Sequence, residues 1–134
     1  MRGDRDDNTD VFLTTLRSDV TRMISVQEDE THFRARSTYV DITAHGARAI
    51  FTTRASLVPE DGNSASDVYL WTRRTGSLQL VSMTPAGAAG EDRSWGYAIS
   101  SHGTYVAFTS WANDLATGGT PGQTSLDGFI RGPY

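Results

Sequence analysis

Apolar positions along this chain come in short runs of β-branched, aromatic and aliphatic residues, each closed off by Gly, Pro, Asn, Asp or Ser. That punctuation predicts strands. Val11 to Leu16 and Val20 to Val26 form one pair around Ser18-Asp19, and Val68 to Thr72 and Leu78 to Met83 form an equivalent pair around Thr75-Gly76. Tyr39 to Thr43 and Arg48 to Thr53 flank His45-Gly46, while Gly96 to Ser100 and Tyr105 to Ser110 flank His102-Gly103. Each pair reads as a hairpin, and Asp127 to Ile130 starts one more strand. No segment of helical length sustains a 3.6-residue apolar period with caps, so the expected class is all-β. Runs such as Val11-Phe12-Leu13, Ala49-Ile50-Phe51 and Val106-Ala107-Phe108 are continuously apolar rather than alternating. Strands of that kind belong in sheets covered on both faces.

The pattern also repeats. Asp10-Val11-Phe12-Leu13 returns as Asp67-Val68-Tyr69-Leu70, and Ile42-Thr43-Ala44-His45-Gly46 returns as Ile99-Ser100-Ser101-His102-Gly103, both at an offset of 57 residues. Residues 10 to 56 laid over 67 to 113 without a gap give 14 identities in 47, against roughly 6% per position from ordinary composition. A duplicated unit of this length, built of strands and Gly-rich turns, points to a β-propeller or another repeat array. One unit holds four strands, 39 to 43, 48 to 53, 68 to 72 and 78 to 83, which is the antiparallel blade of a propeller.

The run Ile99-Ser100-Ser101-His102-Gly103-Thr104-Tyr105-Val106-Ala107-Phe108-Thr109-Ser110 leads into a polar loop. In the other copy, Asp67-Val68-Tyr69-Leu70 and Thr75-Gly76 follow an Asn/Asp/Gly-rich loop. Together they resemble the TolB-type, WD-like propeller repeat over about residues 4 to 131. Such repeats usually carry Asp before the turn Gly, whereas this chain has His45 and His102 there; the Gly that supplies the turn geometry is kept. The implied layout is a single partial propeller over 1–134. Strands three and four of a first blade lie in 4–36, a complete blade in 37–93, and the first three strands of a third in 94–134. That is a little over two blades, where propellers close with about four to eight. The chain is therefore expected to be part of a longer propeller, the alternative being a ring closed between copies. The resemblance further implies a secreted or periplasmic setting.

Composition narrows the partners. A net charge of −4, a pI near 5.2 and no basic cluster beyond Arg73-Arg74 argue against a nucleic-acid surface. No apolar run approaches the ~20 residues of a membrane span, and Met1 to Asp7 is too polar for a signal peptide. With no cysteine, disulfides and thiolate chemistry drop out. The expected partners are a protein or small ligand, together with the remaining blades or further copies of the chain.

Two groups of residues invite chemistry. Asp4, Asp6, Asn8 and Asp10 alternate as oxygen donors, and the equivalent loop offers Asp61, Asn63 and Asp67, a spacing that can gather ligands around Ca2+. The first loop is not of EF-hand type, having Thr9 where that loop needs Gly and Thr15 where it needs Glu. The plain reading of both loops is turn capping. Trp71, Trp95 and Trp111 differ from their counterparts Thr14, Thr38 and Arg54. They are either inter-sheet packing or a ligand surface that stacks a sugar or holds a peptide. His45 and His102 read as turn residues, and Glu28-Asp29-Glu30 and Glu91-Asp92 as solvated loops. No Gly-x-Ser-x-Gly elbow is present, so no catalytic residue is assigned. The expected function is a non-catalytic scaffold or interaction surface. The alternatives are an oligomeric lectin and an accessory part of a larger hydrolase.

Overall fold

The computed structural model describes residues 8–26, 35–117 and 125–134. Among these residues lie nine strands and no helix: β1 (Phe12–Thr15), β2 (Val20–Met23), β3 (Ser37–Ile42), β4 (Arg48–Thr53), β5 (Asp67–Thr72), β6 (Leu78–Leu80), β7 (Ser94–Ile99), β8 (Val106–Ser110) and β9 (Asp127–Arg131). They form three antiparallel sheets in the orders β1-β2, β3-β4-β5-β6 and β7-β8-β9. The all-β expectation holds, with sheets of two, four and three strands.

The four-stranded sheet is the middle layer, and period-two alternation sends its apolar residues to both sides. Ala49 and Phe51 of β4, Tyr69 and Trp71 of β5, and Leu78 and Leu80 of β6 share a core with Val11 and Ile24 of the first hairpin. The intervening residues, Ile50, Val68 and Leu70, point the other way and pack with Val81 against Ile99, Val106 and Phe108 of the third sheet. This double coverage accounts for the continuous apolar runs: β4 and β5 are buried along nearly their whole length.

The duplication in sequence is a duplication in hydrogen bonding. Ile24 N donates to Val11 O at 2.8 Å, and Val81 N to Val68 O at 2.8 Å. Ser37 N donates to Thr9 O at 2.6 Å, and Ser94 N to Ser66 O at 2.6 Å. Gly46 N closes its turn on Thr43 O at 2.8 Å, and Gly103 N on Ser100 O at 2.7 Å. Both glycines have positive φ, 62° and 74°, as these turns require.

Strand ends depart from the sequence expectation in a consistent way. β3 and β7 begin two residues early, at Ser37 and Ser94, because those serines pair with Thr53 and Ser110 and take the backbone bonds just named. β2 and β6 stop early, at Met23 and Leu80, where Ile24 and Val81 turn their amides back onto Val11, just ahead of β1, and Val68 of β5. A bulge interrupts the first strand of both larger sheets, between Thr38 and Asp41 and between Gly96 and Ala98. In the third sheet it presses Gly96 onto the middle one. A Cβ there would sit 3.3 Å from Val68 Cγ1, and Gly96 N donates to Thr52 Oγ1 at 2.9 Å. Its counterpart Tyr39, at φ 52°, is 60% exposed, since among the described residues the two-stranded sheet offers no strand beneath it to match β4.

Candidate functional site

The loop from Arg54 to Ser66 folds back over the end of β5, and its contacts follow from its side chains. Ala55 N donates to Thr53 Oγ1 at 3.1 Å and Leu57 N to Tyr69 Oη at 3.2 Å, while Ala55 and Leu57 join the core. Asn63 Oδ1 accepts from Ala65 N at 2.7 Å, an Asx-type turn, and Asn63 Nδ2 donates to Gly90 O at 2.7 Å. Asp61 is thereby carried inward to 5% exposure, and Asp67, at the head of β5, is fully buried.

Two buried carboxylates thus share one end of the middle sheet, each held by one oxygen. Asp67 Oδ1 accepts from Ser82 Oγ at 2.7 Å, and Ser82 Oγ in turn accepts from Val68 N at 3.0 Å. Asp61 Oδ2 lies against Tyr69 Oη, whose single proton is divided between it and Ala55 O, 3.0 Å away. Among the described residues, the remaining oxygens, Asp61 Oδ1 and Asp67 Oδ2, are buried without a well-formed hydrogen bond, although Asn63 and Ser56 lie close enough to favour the charged carboxyls.

Burial raises the pKa of Asp67 to about 6; the charges of Asp61 and Asp114 add to the rise, and Ser82 and Asn63 oppose it. Burial likewise raises Asp61, against hydrogen bonds from Tyr69, the Asn63 backbone and Ser56. Tyr69 is driven well above the usual phenol range, by burial first and by Asp61 second. Among the described residues, no basic side chain is one of the groups that set either carboxyl.

The other residues singled out from sequence separate. Asp4 and Asp6 lie outside the described residues. Asn8 is half-buried, and Asp10 repeats the Asp67 arrangement: Ser25 Oγ donates to Asp10 Oδ1 at 3.0 Å and accepts from Val11 N at 3.0 Å. Trp71 drops out of any ligand surface, being 3% exposed inside the core between the first two sheets. Trp95 and Trp111 are half-buried, and the Arg93 guanidinium stands 6.0 Å from the Trp95 ring centre. His45 and His102 are exposed turn residues, His102 Nδ1 lying 3.1 Å from Ser101 Oγ. Glu28 to Glu30 fall outside the described residues, while Glu91 accepts from Asn113 N at 3.3 Å and Asp92 from Arg93 N at 2.7 Å. Among the described residues, no three His, Cys, Asp or Glu side chains gather around one point suited to a metal ion, and no helix is long and apolar enough to cross a membrane.

Sequence reasoning reached Asp61, Asn63 and Asp67 but missed Ser82 and Tyr69, which orient the two acids. Ser82 left a signal, since it is identical to Ser25 in the other copy. Tyr69 left none: its counterpart is Phe12, and an apolar run hides a hydroxyl that serves a loop. Comparison with protein-family models, with curated proteins and with solved structures gave no match.

Proposed function

We propose that this chain is a stretch of TolB-like β-propeller repeats acting as a non-catalytic scaffold and interaction surface. Its open faces are completed by further sheets of the same kind, from a longer protein or from copies of itself. One observation carries this: the interface between sheets recurs with the sequence repeat. Val11, Leu13 and Ile24 pack against Ala49, Phe51, Tyr69 and Trp71. Their counterparts Val68, Leu70 and Val81 pack against Val106 and Phe108, which stand 57 residues beyond Ala49 and Phe51. An interface between unlike faces adds layers until the array closes or is capped. The next face in the series belongs to the third sheet and carries Ala107, Thr109 and Ile130. Ile130 pairs with Ala107 as Leu70 pairs with Ile50, yet it is 78% exposed where Leu70 is 2%.

Light scattering behind a sizing column tests the reading. A ring closed by copies elutes as a discrete trimer or tetramer, and a segment of a longer array as concentration-dependent associates. Ile130→Asp, a charge placed on the open face, should turn either into monomer. A wild-type chain that stays a folded, monodisperse monomer at millimolar concentration would overturn it. Trp95 beneath Arg93 favours the lectin alternative, which a glycan screen that leaves tryptophan fluorescence unmoved would remove.

A further inference from the structure

We propose that Asp61 and Asp67, with Asn63, form a binding site for one divalent, oxygen-seeking cation of the Ca2+ type at the head of β5. Among the described residues, Asp61 Oδ1 and Asp67 Oδ2 are both shut away from solvent without a well-formed hydrogen bond, on side chains 5% and 0% exposed, Asn63 and Ser56 giving the two carboxyls only partial support. A buried carboxylate oxygen left short of hydrogen bonds is costly to the fold.

The opposite oxygen of each acid is tied down. Ser82 holds Asp67 Oδ1 at 2.7 Å, and Tyr69 holds Asp61 Oδ2. One oxygen fixed by an outer hydrogen bond and the other left for the ion is how ligating carboxylates are oriented. Asn63 is pinned as well, by Ala65 N at 2.7 Å and Gly90 O at 2.7 Å; its side-chain amide also supports Asp67, and its Oδ1 keeps a second lone pair. A dication between the two carboxylates would cancel two like charges that are met here by hydrogen-bond donors but, among the described residues that set them, by no basic side chain, and the donors are all oxygens, which suit Ca2+ over softer metals.

Affinity in such sites follows the number of charged ligands, and two carboxylates place this one at the weak end, with a Kd on the order of 0.1–1 mM. The site belongs to the second repeat. Asp127, the counterpart of Asp67 in the third sheet, is exposed and holds Ser125 Oγ at 2.9 Å.

The test is thermal unfolding of the full chain at pH 7.5 in 10 mM CaCl2 and in chelator, with terbium emission, sensitised through Tyr69, as a readout independent of stability. Calcium should raise Tm by about 5 °C. Asp61→Asn and Asp67→Asn should each abolish the rise and the emission, and in chelator Asp61→Asn should melt no lower than the parent, because it removes a repelling charge. Asp10→Asn should keep both responses. A melt indifferent to calcium, emission that survives Asp61→Asn, or an Asp61→Asn chain that melts lower in chelator would each overturn the site. So would a chelated protein that gains on acidification all that calcium was expected to give, with calcium adding nothing; the pair would then be held by a shared proton.

Discussion

Ser82→Ala is the sharpest perturbation of this fold, because one hydroxyl serves two fully buried groups. Ser82, Asp67 and Val68 are all at 0% exposure. The substitution removes the 2.7 Å bond to Asp67 Oδ1 and the acceptor 3.0 Å from Val68 N. Each buried group left unsatisfied costs about 1–3 kcal/mol, more for a charged one, so the expected loss is about 3–4 kcal/mol. The molecule supplies its own control. Ser25 makes the same two bonds in the first hairpin, each 3.0 Å, but Asp10 is only half-buried and regains water when the hydroxyl goes. Ser25→Ala should therefore cost about 1–2 kcal/mol, chiefly from Val11 N. Urea unfolding followed by tryptophan emission, in chelator so that ion binding plays no part, measures both. With a slope of about 2 kcal/mol per molar urea, the midpoint should fall by about 1.5–2 M for Ser82→Ala and by less than about 1 M for Ser25→Ala. Equal losses, or a larger loss at Ser25, would refute the claim that burial of the carboxylate sets the cost.

Gly103→Ala should destabilise more than Gly46→Ala. Both positions have positive φ, which costs about 1 kcal/mol for a residue with Cβ. At Gly103, however, the Cβ falls 2.6 Å from Arg48 Cδ and 3.2 Å from Thr43 Cγ2, against 3.6 Å from Ile42 Cδ1 at Gly46, so thermal melts should separate the two by several degrees. In chelator, stability should decline as pH rises from 5 to 7. Asp67 titrates at about 6 in the folded chain against 3.8 for the free side chain. The folded state therefore binds more protons, and the stability this gives is complete below 3.8 and lost as pH climbs through 6. The expected decline is about 1 kcal/mol, and a pH series on Asp67→Asn should lack it.

The order of strands was legible before any coordinate. Strand position and pairing partner follow from local punctuation and from the 57-residue repeat, and β4 (Arg48–Thr53) lies where the apolar run put it. The early starts at Ser37 and Ser94 were not, since serine reads as a break until its backbone partner on the preceding segment is in place. Trp71 could be read as packing or as a ligand platform, and the tie was broken only by the first hairpin covering that face of the middle sheet. The candidate site divides in the same way. The spacing of Asp61, Asn63 and Asp67 is local and so visible in sequence, while the hydroxyls that aim the acids come from Tyr69 and Ser82, the latter fifteen residues on from Asp67 on the neighbouring segment.

By itself, then, the sequence determined an all-β chain, its duplicated unit and the oxygen-rich loop, because each is written in the types and spacing of nearby residues. Tertiary structure decided which face of each strand is covered and which carboxylate oxygens are left without a well-formed hydrogen bond. Those outcomes depend on surfaces meeting across the stack, and burial is a property of the assembled layers rather than of any one strand.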